Sequence, residues 1–471
     1  MKSETSTGVL VLRRVGLVFC LAVVIAVWSA SFAVASAQSD STAQSDSAYT
    51  RRQETEELKK RIQELQDQID QLSVSKAPDS TRSDDDLRER IKKLEAAQNA
   101  NPETPTSGKA GDDFPGSFWI PGSDARLRIG GFVKFSLVRN FDPIGSADRF
   151  VTAYIPPAGA YSAGAGDMSV NAYQTRVYLD FREPLKASQL RAYIEADFAG
   201  SGNTLRLRHA YGQYNVILAG QTWSLFVDVR ARPEEIDFEG LNGRIRVRQA
   251  QLRYFPHVME ALNLAVSLED PSPDVTGGTG LSEVPDAVAR IHRTLNFGHV
   301  QFSVLLRQLR ARPGYDPTTT LSSFGWGMSF SGQIPAGWWG DQDNFQFQLN
   351  GGDGIGRYIN DLGSALGQDA VVDSTTAQLV TLKAAAGYVS FQHWWTQRTR
   401  STLDYSIVYV DNLDIQTPAS YHFTQRAMGN LLVSPTHRID LGIELLWGER
   451  RNKDQSKGYA TQLQFAAIYR F

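Results

Sequence analysis

The sequence predicts an all-β chain, a transmembrane antiparallel β-barrel of about sixteen strands, with an N-terminal α-helical coiled-coil segment. Three observations predict it. After Pro121 apolar residues recur at every second position, the period of strands with one apolar and one polar face. Short and long connections alternate between those strands. The chain ends on an amphipathic strand whose last residue is Phe471.

Residues 1–37 read as a signal peptide. Arg13 and Arg14 precede an apolar run from Val15 to Val27, and Ala35-Ser36-Ala37 supplies small residues before Gln38. The alternative, an uncleaved helical anchor, would keep that run in the mature chain. Cys20, the one cysteine, lies inside the run, so loss of the leader removes thiol and disulfide chemistry with it. Beyond the leader no apolar run reaches the roughly 20 residues that a spanning helix needs. The formal net charge of −3 gives no basic excess, which argues against nucleic acid as a partner.

Residues 38–98 read as periplasmic coiled-coil helices. Leu58, Ile62, Leu65, Ile69 and Leu72 fall four and three apart on one stripe, between mostly charged and amide side chains. A helix this short is marginal alone, so the stripe implies a partner chain or another surface. The alternative is an amphipathic helix lying on the protein's own body. Pro78 breaks the pattern, and Leu87, Ile91 and Leu94 resume it after three aspartates suited to a helix N-terminus. Residues 99–123 form a linker, rich in Pro, Gly, Ser and Thr over Asn99 to Phe114.

Residues 124–471 form the barrel. Leu190, Ala192, Ile194, Ala196 and Phe198 alternate with Arg191, Tyr193, Glu195 and Asp197. The same alternation runs through Val177 to Phe181, Leu262 to Leu268, Phe345 to Leu349 and Ile439 to Trp447. The polar sets hold charges of both signs and the apolar sets carry aromatics at their ends, which fits a wet lumen and a lipid-facing wall. The stretches 183–189, 255–261, 294–298 and 434–437 read as short turns, and 140–170, 270–286 and 351–376 as long loops. Sixteen strands leave an open lumen, whereas eight would be filled by side chains. In the last strand Leu463, Phe465, Ala467, Tyr469 and Phe471 make the apolar face. Tyr469 and Phe471 thereby read as a membrane-insertion signal, with the barrel-insertion machinery as its partner.

The lumen decides what such a channel passes. Strand phase turns Arg206 and Arg208 inward, and likewise Arg244, Arg246 and Arg248 opposite Ile245 and Val247; Arg176 and Arg307 join them in a basic ladder. Guanidinium groups in a confined channel concentrate anions and hold carboxylates through two parallel hydrogen bonds. The alternative is that they pair with Asp180, Glu195 and Asp197 and only stiffen the wall. Past Arg248 the phase turns Gln249 and Gln251 toward lipid unless a bulge intervenes. Gly352, Gly354 and Gly356 lack the strand-to-helix setting of a nucleotide loop, and His393 has no second ligand at metal spacing. No nucleophile, base and orienter set stands out, so neither enzyme activity, cofactor nor metal is expected.

Phe-Trp-Ile-Pro-Gly at 118–122, Leu-Arg-Ile-Gly-Gly at 127–131, Arg206 to Tyr211, Gly-Gln-Thr-Trp-Ser at 220–224, Pro285-Asp286, Arg307 to Leu309, Gly354 to Tyr358 and the final Tyr-Arg-Phe resemble the DcaP-like porin family in order and spacing. That resemblance implies a homotrimer in outer-membrane lipid, a periplasmic coiled coil, and passive diffusion of small anions such as dicarboxylates. Ile at a and Leu at d favours two-stranded coiled coils, so a trimer would be set by barrel contacts. A second function to weigh is a structural tether, in which the N-terminal helices grip the cell wall and the barrel is an anchor.

Overall fold

The computed structural model describes residues 114–471 apart from 158–164, 186–187, 260, 338, 341 and 366. The expected signal peptide, coiled-coil helices and start of the linker lie outside the described residues. Sixteen strands build the wall: β1 Arg126–Asn140, β2 Arg176–Leu185, β3 Ser188–Asp197, β4 Arg206–Tyr214, β5 Ile217–Trp223, β6 Arg248–Tyr254, β7 Leu262–Glu269 and β8 Asp286–Leu295. They continue with β9 Gly298–Pro313, β10 Leu321–Pro335, β11 Asn344–Asp353, β12 Lys383–Trp394, β13 Thr399–Asp411, β14 Tyr421–Thr436, β15 Ile439–Asn452 and β16 Lys457–Arg470.

Each strand pairs antiparallel with its neighbour in sequence, and β1 pairs with β16 from Phe132↔Arg470 to Asn140↔Gln462. Closure removes the exposed strand edges. Phe471 continues the seam, its N–H donating to the Gly131 carbonyl at 3.1 Å. An even strand count returns the C-terminus to the end where β1 starts, which is the end of the short turns.

The two faces invert the pattern of a soluble protein. Leu179, Ile194, Leu207, Val266, Leu268, Ile443, Leu445 and Phe465 are exposed on the outside, while Asp180, Asp197, Glu269, Gln348, Glu444 and Gln464 are buried within. Burying polar groups is tolerable only where they find partners, and infolded loops supply many of those partners.

Residues 224–247, between β5 and β6, descend into the lumen. The Glu444 carboxylate accepts the N–H groups of Ile236 (2.8 Å) and Asp237 (3.0 Å), Ser406 Oγ accepts Gly243 N–H (2.9 Å), and Gln348 Oε1 accepts Ile245 N–H (2.9 Å). Residues 354–382, between β11 and β12, join them: Asn360 N–H donates to the Arg244 carbonyl at 2.9 Å. Leu225, Phe226, Ile245, Ile355, Tyr358, Ile359 and Leu362 pack with Leu305, Val408 and Val410 of the wall into an apolar core inside the barrel.

This corrects the strand expected around Arg244 to Arg248. Only Arg248 begins a strand; Arg244 to Val247 are infolded loop, in which Ile245 N–H donates to Gln348 of the wall and Arg244 is buried against the Glu239 carbonyl. The phase past Arg248 is corrected too. Gln249 and Gln251 are buried on the inside, with Leu252 and Tyr254 exposed outside, and the register from Trp223↔Arg248 to Ile217↔Tyr254 runs without a shift.

Candidate functional site

The infolded loop leaves a cavity against β2 to β4. Arg176, Asp197, Arg206 and Arg208 line it from the wall, Phe238, Glu239 and Arg246 from the infolded loop, and Arg149 and Tyr173 from the loop between β1 and β2.

A β-bulge in β4 assembles the wall side. Glu195 opposes His209 while Ala196 opposes Leu207, so Arg208 is the extra residue. The side-chain phase changes across a bulge. Arg206 and Arg208 before it and His209 and Tyr211 after it therefore all serve the lumen. Simple alternation through the strand would have sent one of these pairs outward.

Carboxylates hold the arginines in place. Arg206 grips Asp197 through Nε (2.9 Å) and Nη2 (2.8 Å), and Arg208 reaches Glu195 (2.7 Å) and Asp197 (2.6 Å). Arg176 lies 3.6 Å from Glu195. On the opposite rim Arg246 donates to Glu239 and to Asn360 Oδ1, the latter at 2.9 Å. Burial opposes ionisation of Glu239, but Arg246 and Arg149 outweigh it and hold the carboxyl below its usual range. The cations outnumber their partners: five arginines line the cavity (149, 176, 206, 208 and 246) and pair with three carboxylates, Asp197, Glu195 and Glu239. Arg206 and Arg149 are the open ones, with 39% and 34% of their side chains accessible against 5% for Arg208.

Of the seven arginines picked from sequence, the cavity gathers Arg176, Arg206, Arg208 and Arg246. The others lie elsewhere. Arg244 is buried in the infolded loop, donating to the Glu239 carbonyl at 3.0 Å, and Arg248 stacks over Trp223 at 4.6 Å. Arg307 on β9 is fully buried: it bonds Asp286 (2.9 Å), Asp369 (3.0 Å) and the carbonyls of Gly354 (2.6 Å) and Pro271 (2.8 Å). It is a strut that ties the wall to two loops, which alternation alone could not distinguish from a lumen cation. Arg149, Phe238 and Glu239 were missed because nothing local marks which loop residues turn inward.

A closed sixteen-strand barrel, apolar outside and narrowed inside by an infolded loop, defines an outer-membrane channel of the porin type. The chain belongs to the DcaP outer membrane protein family, whose model matches residues 42–471. Among solved structures it is similar in fold to the outer membrane channel DcaP of Acinetobacter baumannii, with TM-score 0.66 and 24% identity over 75% of this chain and 99% of that one. Weaker likenesses are a loop L8 deletion mutant of OmpT from Vibrio cholerae (TM-score 0.49, 12% identity, 74% of this chain and 100% of that one) and the Salmonella typhi OmpF complex with daunomycin (0.48, 10%, 75% and 100%). No curated protein sequence matches the chain.

Proposed function

We propose that this porin passes small hydrophilic solutes with a preference for anions, carboxylates such as dicarboxylates among them. The observation that carries the reading is the excess of arginine over carboxylate around the constriction. Pairing with Asp197 and Glu195 orients these guanidiniums without neutralising the set, and a narrow channel with a low-dielectric wall raises the local anion concentration. Arg206 and Arg149 are open enough to meet a passing carboxylate.

The test is the reversal potential of the reconstituted channel in a salt gradient. Anion permeability should exceed that of the cation, and a reversal potential of the opposite sign overturns the proposal.

The short-turn end, with Tyr469 and Phe471, faces the periplasm in this reading, as short turns do in bacterial barrels, and residues 38–98 are taken as periplasmic. The homotrimer is likewise proposed, and strand length supports it. β5 and β6 have seven residues each. At roughly 3.4 Å per residue and about 40° of tilt such a strand rises about 18 Å, short of the roughly 25 Å apolar band. A wall that low needs protein beside it rather than lipid. Native mass spectrometry in detergent should give three copies, and a monomer would refute the assembly.

A further inference from the structure

On the short-turn side of the constriction, β1 to β3 carry a second basic cluster. The register sets Arg128 opposite Asp180 and Arg182 opposite Arg191. Asp180 is fully buried and is gripped twice, by Arg182 through Nε (3.3 Å) and Nη2 (2.9 Å) and by Arg191 through Nε (2.8 Å) and Nη2 (3.1 Å). Arg128 Nη2 lies 3.6 Å from the same carboxylate. Three guanidiniums around one carboxylate leave two positive charges unmatched within the cluster. Each arginine side chain keeps 26–32% of its surface open, and Nε of Arg128 is buried with no hydrogen-bond partner among the described residues.

The surroundings are aromatic. Tyr178, Tyr193 and Tyr211 form a row across β2, β3 and β4, with ring centroids 5.7 and 5.6 Å apart. Arg128 lies over Tyr178 at 5.5 Å and Arg191 over Tyr193 at 5.2 Å. The cluster already holds a flat ring, that of Phe114, with the Arg182 guanidinium 4.0 Å and that of Arg128 4.9 Å from its centroid. Phe114 is itself buried, and among the described residues its backbone has few anchors. Ser117 donates to its carbonyl, and the next anchor is the two-residue bridge of Phe118 and Trp119 to Leu127 and Arg126.

We propose that this cluster is a second anion station, selective for a carboxylate carried on a flat ring, and that Phe114 is its resident competitor. Guanidinium faces clamp the ring while the unmatched positive charge attracts the carboxylate. Arg176 and Arg182 lie about 20 Å apart along one strand, with Tyr178 between them, so a solute leaving the constriction reaches the station along one wall. The station requires that the lumen conducts, as proposed above, and does not require that the constriction prefers anions.

The test uses the full chain in a planar bilayer, with benzoate or acetate added on the short-turn side as blockers. Phe114→Ala should tighten benzoate block about tenfold, the worth of one desolvated cation and ring contact, and change acetate block less than twofold. Arg128→Gln in the Phe114→Ala background should remove most of that gain. If that variant does not assemble, Arg128→Lys, which keeps the charge and loses the stacking plane, should do the same. Unchanged benzoate block in Phe114→Ala, an equal gain for acetate, or full retention of the gain in the Arg128 variants overturns the proposal. The reversal potential reads the constriction separately, so either reading can fail without the other.

Discussion

Two arcs of the inner wall carry the same kinds of charge and put them to opposite uses. On β13 to β15 the charges are covered by the infolded loop. Arg426 donates to Glu235 at 2.6 Å and to Asp237 at 3.5 Å, and none of these side chains is more than 1% accessible. Beside it Glu444 accepts two loop N–H groups, and Arg400 holds Glu234. On β2 to β4 the arginines are also paired, yet Arg206 keeps 39% of its side chain open to the cavity. Charge under the loop holds the loop to the wall; charge facing the cavity is left, on the proposed function, to act on solutes. Side-chain type does not separate the two, and coverage by the loop does.

The largest effect should come from breaking the covered arc. Arg426→Ala leaves Glu235 and Asp237 buried without their cation, a loss of about 3–5 kcal/mol. The loop should leave the wall, seen as a single-channel conductance well above wild type or as failure to form a heat-modifiable barrel; wild-type conductance and stability would erase the distinction between the arcs. Arg206→Gln should act the other way, sparing stability and lowering anion over cation permeability. One charge about 6 Å from a permeant ion, at an effective dielectric constant of about 50, is worth ~1 kcal/mol, or about fivefold in the permeability ratio. An unchanged reversal potential would mean that Asp197 neutralises Arg206 completely.

The smallest effect is a pH slope in the covered arc. Burial pushes the Asp237 carboxyl from its ordinary 3.8 up to about 6, although Arg426 opposes the shift. Between those values the folded chain binds the extra proton, so this group makes stability fall as pH rises from about 4 to about 6. Asp237→Asn should flatten that part of the thermal-unfolding profile in detergent, and an identical slope in the variant would assign it to other groups.

Alternation, strand count and the terminal strand were legible in the sequence because the period of two is local: Leu179 and Asp180 take opposite faces whatever the rest of the chain does. The barrel, its closure and the place of Phe471 follow from that. The candidate site was legible in part. Arg176, Arg206 and Arg208 have the right residue type on the right strands, but the inward turn of both Arg208 and His209 depends on a bulge set by pairing with β3. Arg307 has the same local pattern as Arg206 and is a strut, because Asp286 and Asp369 come to it from two other segments. The path of residues 224–247 is the furthest from local control. Ile236 is held by Glu444, 208 residues away in sequence, and such a contact exists only once the barrel has closed.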